Sequence, residues 1–332
     1  MNNKLKKLLF ILSTVILVLL TMCIIFIMIY KKNLKRSYKD FVNISEVFCK
    51  TPGLDTEFVP QGISYNEKHN LIVIVGYNSD KTPSPIFLID TNGNIKKKIT
   101  FKLESGKDYT GHAGGVISFN DIIFVSSGNK VHKLDMNKVL LANDNDCVKV
   151  EATTKVDADG ATMFVYNNYL FVTEFYEETK YQTEVSHHIK TPSGGTNKAL
   201  AFAYEIDENE KSGLKSNEAK FVVSIPEKVQ GVLVRENEII LSTSFGRYND
   251  SYIYKYKNIL NKETSNTYKY NDIDIPLYIM DSSDITYKLL TPPMSEGMTM
   301  YKDKVLLLFE SASKKYRLTT RCKTEDIWEL SV

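Results

Sequence analysis

The sequence has few of the residues, and none of the short motifs, that usually mark an active site. It contains four cysteines, five histidines and one tryptophan among 332 residues. The pattern H-E-x-x-H, the G-x-S-x-G elbow and the G-x-x-x-x-G-K-S/T loop are all absent. These motifs are typical of zinc peptidases, serine hydrolases and nucleotide-binding loops, respectively. The sequence therefore favours none of these three kinds of site.

Net positive charge is confined to the N-terminal segment. Residues 1–40 carry eight Lys or Arg and one acidic residue, whereas the remaining residues have a net charge of −5. A nucleic-acid-binding domain needs a basic face that displaces phosphate counterions. We therefore expect no nucleic-acid partner. The chain is 43% hydrophobic and 25% charged, which is typical of a folded protein rather than a disordered one.

Residues 8–30 contain no charged side chain and predict a transmembrane helix. At 1.5 Å per residue this run would extend about 34 Å, enough to cross a hydrocarbon core of about 30 Å. A cleaved signal peptide is the alternative, although its apolar region would be shorter and would end in small residues. Leu20-Thr21-Met22-Cys23 weakly resembles a lipoprotein cleavage site, but Met22 stands where a small residue is needed.

The flanking segments predict the topology of this anchor. We interpret residues 1–7 as a cytoplasmic tail and residues 31–40 as a basic juxtamembrane linker. A short tail before the first helix and a long domain after it favour a cytoplasmic N-terminus. The protein is thus expected in the cell membrane as a single-pass protein, with the bilayer as its partner and residues 41–332 outside.

A five-fold repeat of strand pairs occupies residues 41–332. Each unit opens with a polar residue or glycine before a short apolar strand, and a turn and a more strongly apolar strand follow. The openings are Gln61-Gly62-Ile63, Gly114-Gly115-Val116, Asp159-Gly160-Ala161, Gln230-Gly231-Val232 and Glu296-Gly297-Met298. Nearly continuous apolar strands suit burial on both faces.

Further strands complete the units and predict an all-β fold. Each pair is followed by a third strand, and four units have a fourth, whereas the fifth unit ends after its third strand. Residues 41–49 form an orphan strand that can complete it. Four-stranded antiparallel units arranged in a ring describe a β-propeller. We expect five blades, or six if residues 268–290 form a blade of their own.

The blade pattern over residues 41–332 resembles the bacterial β-propeller superfamily that includes lactonase-like and gluconolactonase-like proteins. The resemblance implies a propeller fold for residues 41–332 and rests on the strand pattern alone, whereas the membrane anchor is predicted from residues 8–30. Trp-Asp repeat endings and aspartate boxes are absent. No catalytic set of a particular family is therefore carried over to this chain.

Two cysteines predict how the ring is closed. Cys49 ends the N-terminal strand and Cys322 precedes the third strand of the fifth unit, so the two are expected side by side. A disulfide between them would constrain nearly the whole ring and would suit an oxidising compartment. Two buried free thiols are the alternative. Cys147 has no evident partner and is expected in the core.

A candidate site lies where the first strand of each blade begins and the second strand ends, on what we call the site rim. The predicted ligand-binding residues are Gln61, Tyr77, His112, Ser126, Gln230 and Ser244. The predicted metal ligands are Asp159, Glu174, Glu296 and Glu310. Oxygen-rich clusters suit Ca²⁺, a cationic ligand or sugar hydroxyls. Alternatively, each polar residue before a glycine caps a turn.

Two further features bear on this site. The insertion 176–197 would emerge on the site rim as a lid, and its adjacent His187 and His188 do not have zinc-ligand spacing, so a solvated loop is expected. The N-terminal strand would run from the opposite rim toward the site rim. Phe41 would then lie far from the site, and the site would face away from the bilayer.

Three functions remain open from the sequence. The first is an extracytoplasmic propeller that binds a polar ligand, either a cell-envelope saccharide or a protein. The second is a Ca²⁺-dependent lactonase or glycoside hydrolase, for which Asp159 and Glu296 are the catalytic candidates because paired carboxylates provide acid and base. The third is a structural component of an envelope complex. Binding is favoured over catalysis, since no motif indicates an enzyme.

Overall fold

A computed structural model describes residues 3–332, apart from the side chains of residues 26–29. Residues 1 and 2 of the predicted tail 1–7 therefore lie outside the described residues. The N-terminal helix α1 (Asn3–Tyr30) is followed by the short helices α2 (Leu34–Ser37) and α3 (Lys39–Asn43) and by strand β1 (Ser45–Lys50). Within α1, Asn3–Ile25 is long and apolar enough to cross a membrane, with a mean hydropathy of 3.0 and no buried residue. Either a membrane anchor or a signal sequence has these properties.

The next strands form the first two blades of a propeller. Blade 1 contains β2 (Phe58–Asn66), β3 (Leu71–Asn78), β4 (Pro85–Asp90) and β5 (Ile95–Lys102). Blade 2 begins with β6 (Gly115–Phe119), β7 (Ile122–Ser127) and β8 (Lys130–Asp135), after which the chain forms helix α4 (Met136–Leu141). The following β9 (Cys147–Lys149) pairs in parallel with β5 of blade 1, whereas β10 (Ala152–Lys155) pairs with β8. The segment expected to form the fourth strand of blade 2 is thus divided between blades 1 and 2.

Blades 3 and 4 are linked by a hairpin. Blade 3 contains β11 (Thr162–Tyr166), β12 (Tyr169–Thr173), β15 (Ala199–Glu205) and β16 (Phe221–Ile225), with the small hairpin β13 (Ile189–Lys190) and β14 (Thr196–Asn197) in the insertion. Blade 4 contains β17 (Val229–Val234), β18 (Glu238–Thr243), β19 (Ser251–Lys257) and β22 (Ile285–Thr291). Between β19 and β22, β20 (Thr267–Tyr270) and β21 (Ile273–Ile279) add to the outer edge of blade 3. The six-blade alternative is therefore wrong.

Blade 5 joins the two ends of the propeller. It contains β23 (Ser295–Tyr301), β24 (Lys304–Phe309) and β25 (Asp326–Leu330), and β1 pairs antiparallel with β25 as its outer strand. The strand expected over 41–49 begins at Ser45, because residues 39–43 are helical. The inner strands β2, β6, β11, β17 and β23 contact one another in this order, and β23 contacts β2. The predicted five-bladed, all-β propeller is confirmed.

The hydrophobic core consists of five clusters, each between two neighbouring blades. Phe124 and Phe202 belong to the cluster between blades 2 and 3, for example, and Ile74 and Leu306 to the one between blades 1 and 5. Both faces of the central strands are therefore buried, which explains their continuous apolar sequence.

Glycines allow the inner strands to approach one another around the axis. A Cβ atom on Gly62 would lie 2.8 Å from the backbone nitrogen of Val116, and one on Gly297 would lie 3.0 Å from the carbonyl oxygen of Gln61. These distances are shorter than ordinary contacts, and the neighbouring atoms are backbone. The repeated glycine in the sequence is thus explained by close packing at the ring centre.

The expected disulfide is not formed. All four cysteines are free thiols. Cys49 packs in the cluster between blades 5 and 1, whereas Cys322 packs with Tyr38 and Phe41 between blades 4 and 5. Their side chains therefore face opposite sides of blade 5. Cys147 is exposed rather than in the core, because short strand β9 lies at the outer edge of blade 1.

The segment after α1 lies on the site rim, contrary to expectation. The backbone nitrogen of Lys32 donates to the carbonyl oxygen of Arg321 at 2.8 Å, and the Tyr38 hydroxyl donates to Asp250 at 2.7 Å. Both partners belong to loops that adjoin the site rim, since they precede β25 and β19. Helices α2 and α3 then lead to the opposite rim, where β1 begins. The end of α1 and the candidate site thus share one rim, and the site does not face away from α1.

Candidate functional site at the inner rim

Local breaks in strand register place three predicted side chains at the ring centre. Register shifts occur between Pro60 and Gly62, Val229 and Gly231, and Ser295 and Met298. A β-bulge adds an unpaired residue and re-aims its side chain. The extra residues include Gln61, Gln230 and Glu296. The opening motif of the sequence therefore encodes a bulge in three of the five inner strands.

Gln61 and Glu296 both contact Glu310, which directly follows strand β24. The amide nitrogen Nε2 of Gln61 donates to Oε2 of Glu310 at 2.9 Å and to the Pro60 carbonyl oxygen at 2.8 Å. The carboxyl groups of Glu296 and Glu310 are hydrogen-bonded to each other. Gln61 and Glu296 are buried, whereas Glu310 is partly exposed. Glu310 is thus the member of the pair that a ligand can reach.

Burial of two carboxyl groups in contact favours a proton between them. Burial, and then the Glu310 charge, raise the pKa of Glu296 well above its ordinary value. Burial also raises the pKa of Glu310 to about 7, although the hydrogen bond from Gln61 and the charge of Lys315 oppose this rise. Like charges this close cannot both ionise without a large free-energy cost. We therefore treat Glu296 and Glu310, hereafter the carboxyl pair, as one titrating unit.

Aromatic and basic side chains lie above the carboxyl pair. The Lys315 ammonium donates to the Tyr77 hydroxyl at 2.8 Å, and that hydroxyl lies 3.3 Å from the hydroxyl of Tyr316. The rings of Tyr77 and His112 are 4.6 Å apart and tilted by 33°. Burial and the nearby Glu310 raise the pKa of Tyr77, so its phenol stays protonated. His112 and Lys315 are exposed and form the mouth of the site.

The structure brings together Gln61, Tyr77, His112, Glu296 and Glu310 from the expected set. Ser244 is buried and accepts a hydrogen bond from Ser251 at 2.9 Å, and Ser251 also contacts the backbone of Ser295 at 3.3 Å. Ser126 is buried and its hydroxyl has no partner among the described residues. Gln230 is partly buried in its bulge, and Asp159 is exposed beside Gly128.

Glu174 belongs to the insertion rather than to the carboxyl pair. Its carboxylate oxygens lie 2.9 and 3.0 Å from Nδ1 of His187, and one of them accepts the backbone N–H of Leu200 at 3.0 Å. His187 is buried in a single-turn helix, Val185–His187, and its ring contacts Phe202. The expectation that this histidine lies in a solvated loop is wrong, because Glu174 ties it to blade 3.

The predicted metal centre does not form. Asp159, Glu174, Glu296 and Glu310 are divided among three surroundings, and residues 3–332 contain no group of three or more His, Cys, Asp or Glu side chains placed to hold a metal ion. Ca²⁺ requires six to eight oxygen ligands. The donors present therefore do not fit the Ca²⁺ that the sequence suggested.

Two site residues were missed by sequence reasoning. Lys315 and Tyr316 lie in the loop between β24 and β25, whose sequence is not repeated in the other blades. A signal exists in the sequence, since Lys314-Lys315-Tyr316-Arg317 follows the second strand of blade 5 after four intervening residues. Loops at this position emerge on the site rim in each blade.

Fold and site together define a five-bladed β-propeller with a buried carboxyl pair at its inner rim and an apolar N-terminal helix. No protein-family model matches the sequence, and no curated protein matches it.

Similar solved structures share low identity. A putative oxidoreductase (glucose dehydrogenase) of Thermus thermophilus is 11% identical over 86% of this chain and 99% of its own, with a TM-score of 0.44. The glutaminyl cyclase of Myxococcus xanthus is 8% identical over 80% and 91%, with a TM-score of 0.40. Hydrazine synthase of Kuenenia stuttgartiensis is 10% identical over 76% of this chain and 65% of its own, with a TM-score of 0.36. Likenesses this low concern the fold alone and transfer no activity.

Proposed function

We propose that this protein is a single-pass, membrane-anchored propeller that binds a polar ligand, a cell-envelope saccharide, at the carboxyl pair. Sugar hydroxyls both donate and accept hydrogen bonds. Glu310 offers a carboxyl oxygen, Lys315 offers an ammonium, and the rings of Tyr77 and His112 offer apolar faces. The N-terminus is cytoplasmic and the propeller lies outside, an orientation supported by the long domain after α1, since long domains translocate largely regardless of their charge.

The carboxyl pair is the observation that carries this proposal. Neither carboxyl forms an ion pair within residues 3–332, and the only amide bonded to the pair in that range is that of Gln61. Buried acids without a cationic partner destabilise a fold, and hydrophobic residues of similar size would pack better. Such a costly arrangement at a rim, with one member partly exposed, is typical of a functional site.

A binding measurement tests the proposal. The full chain in lipid nanodiscs is titrated with N-acetylglucosamine oligomers and with neutral glucans, and affinity is measured by calorimetry. The variant Glu310→Gln lacks the ionisable carboxyl of Glu310. The variant Gln61→Ala keeps that carboxyl but lacks the amide that holds it in place. We expect each change to weaken binding about tenfold, the effect of losing one good hydrogen bond to a charged group.

Glu236→Gln is the matched control, since it alters an exposed glutamate on the opposite rim. It should leave the affinity unchanged. If wild-type protein binds none of the sugars, the saccharide assignment is wrong. If Glu310→Gln binds as tightly as wild type, the site is elsewhere.

Hydrolysis is the second candidate, and one observation favours it. A pKa of about 7 for Glu310 would suit a general acid or base at neutral pH. The direct hydrogen bond within the pair argues against glycoside hydrolysis, which uses carboxyls about 5 Å or more apart. Turnover of a chromogenic lactone that is abolished by Glu310→Gln would establish the enzyme. Equal background rates in wild type and variant would exclude this substrate class.

A further inference from the structure

A cationic cavity lies between the juxtamembrane linker and the loop before β25. It has a volume of about 440 Å³, and its charged lining residues are Lys31, Lys32, Arg317, Arg321 and Lys323. No acidic side chain lines it. Lys32 pairs with Asp250 at 2.6 Å, and Lys323 pairs with Glu325, but the other three cations have no carboxylate partner in the described part of the chain. The cavity thus holds uncompensated positive charge.

The orientation of Arg321 adds a second observation. Its Nε atom is buried and has no hydrogen-bond partner among the described residues. Its backbone nitrogen is fixed by the Arg247 carbonyl oxygen at 2.9 Å, and its guanidinium lies 5.9 Å from the ring centre of Tyr30. An unsatisfied buried donor costs about 1–3 kcal/mol, which an anionic ligand with acceptor oxygens would offset.

The cavity lies where the apolar helix ends. Lys31 is the first residue after α1, and its ammonium donates to the carbonyl oxygens of Leu318 and Thr320. The Leu318 side chain is 84% exposed and that of Tyr248 is 55% exposed, and the Tyr248 ring contacts that of Tyr30 at 5.6 Å. Exposed tyrosine, an exposed aliphatic side chain and basic residues at a helix end are typical of a membrane interface.

We propose that this cavity binds the phosphate of an anionic phospholipid headgroup. Arginine guanidinium groups match phosphate oxygens in geometry and charge. The phosphate would bond Arg317 and Arg321, and Leu318 would contact the acyl region. A lipid rather than free phosphate is favoured because the cavity adjoins the end of α1. The inference rests on α1 being a membrane anchor, as proposed above, but not on saccharide binding.

Lipid retention measured by native mass spectrometry tests this inference. The full chain, with residues 1–30 shown by mass to be intact, is released from nanodiscs that contain equal phosphatidylglycerol and phosphatidylcholine. We expect wild type to retain phosphatidylglycerol at least tenfold over phosphatidylcholine. Arg317→Gln should reduce this preference about tenfold, and Arg317→Gln with Arg321→Gln should abolish it.

Lys35→Gln is the matched control, because Lys35 lies in the same linker but does not line the cavity. If Lys35→Gln loses as much of the phosphatidylglycerol preference as Arg317→Gln does, the protein attracts anionic lipid in general and the proposed site is wrong. Unchanged retention in the Arg317→Gln variant would overturn it also. Arg317 is exposed, so this single variant is expected to fold even if the double variant does not.

Two further measurements separate the alternatives. If inorganic phosphate raises the melting temperature of wild type but phosphatidylglycerol does not, the ligand is free phosphate and the lipid assignment is wrong. Saccharide affinity in the Arg317→Gln variant should equal that of wild type, because the carboxyl pair is unaltered. Failure of lipid binding and failure of saccharide binding are thus distinguishable.

Discussion

Protonation of the carboxyl pair links the stability of the propeller to pH. Because the pKa of Glu310 is raised from 4.5 to about 7, the folded state binds a proton that the unfolded state releases. The stabilisation that this proton gives the folded state is fully present below about pH 4.5 and is lost as the pH rises through 7. Glu310→Gln keeps a neutral group at every pH. Between pH 5 and pH 8, we therefore expect the free energy of unfolding of Glu310→Gln to increase by about 1–3 kcal/mol relative to that of wild type.

Melting temperatures of both proteins in detergent at pH 5 and pH 8 provide the measurement. The Glu236→Gln variant should follow the wild-type profile, since its carboxyl is exposed on the opposite rim. Parallel pH profiles for wild type and Glu310→Gln would show that Glu310 titrates normally.

At the scale of elements, the hydrogen bond between Glu174 and His187 holds the insertion on blade 3. Burial acts to lower the pKa of His187, but the hydrogen bond and charge of Glu174 raise it above its ordinary 6.5. The stabilisation is therefore complete below pH 6.5 and is lost as the pH rises through the raised pKa. We expect His187→Ala to increase protease cleavage within the insertion 176–197 several-fold at pH 6 and much less at pH 8.

His188→Ala is the control for this experiment, because His188 contacts Tyr176 and Thr183 but not Glu174. Cleavage by a protease active at both pH values is followed by mass spectrometry. A rate that His187→Ala leaves unchanged at pH 6 would contradict the anchoring role.

The elements also show what the sequence can and cannot predict. The paired apolar strands were found because their pattern is local and repeats with each blade. Strand β9 and hairpin β20–β21 were not placed, because each is held by parallel pairing with a distant strand, β5 or β16. At the site, Gln61, Glu296 and Glu310 were found from their place in the repeat. Lys315 was missed because its loop is unique, and the Cys49–Cys322 bond was wrongly expected because adjacency along strands does not fix which face a side chain occupies.

For the whole molecule, closure of the ring depends on α3 and β1. Phe41 is fully buried, with its ring 5.2 Å from that of Trp328 and 6.0 Å from that of Phe309. Phe41→Ala would leave a cavity between blades 4 and 5. We expect a loss of about 3–5 kcal/mol, measured by chemical unfolding of the full chain in detergent. Val47→Ala in β1 should cost far less, since Val47 is 54% exposed, and equal losses would contradict the closure.

The most direct test of the account is the protonation state of the carboxyl pair at neutral pH. Infrared spectra of the full chain at pH 7 are compared for wild type and Glu296→Gln. We predict a C=O stretching band of a protonated carboxyl in wild type that loses intensity in the variant, because the Glu296 proton is removed while Glu310, with a pKa of about 7, remains partly protonated. A wild-type spectrum in which Glu296 and Glu310 are both ionised, with no band intensity lost on substitution, would contradict the central claim.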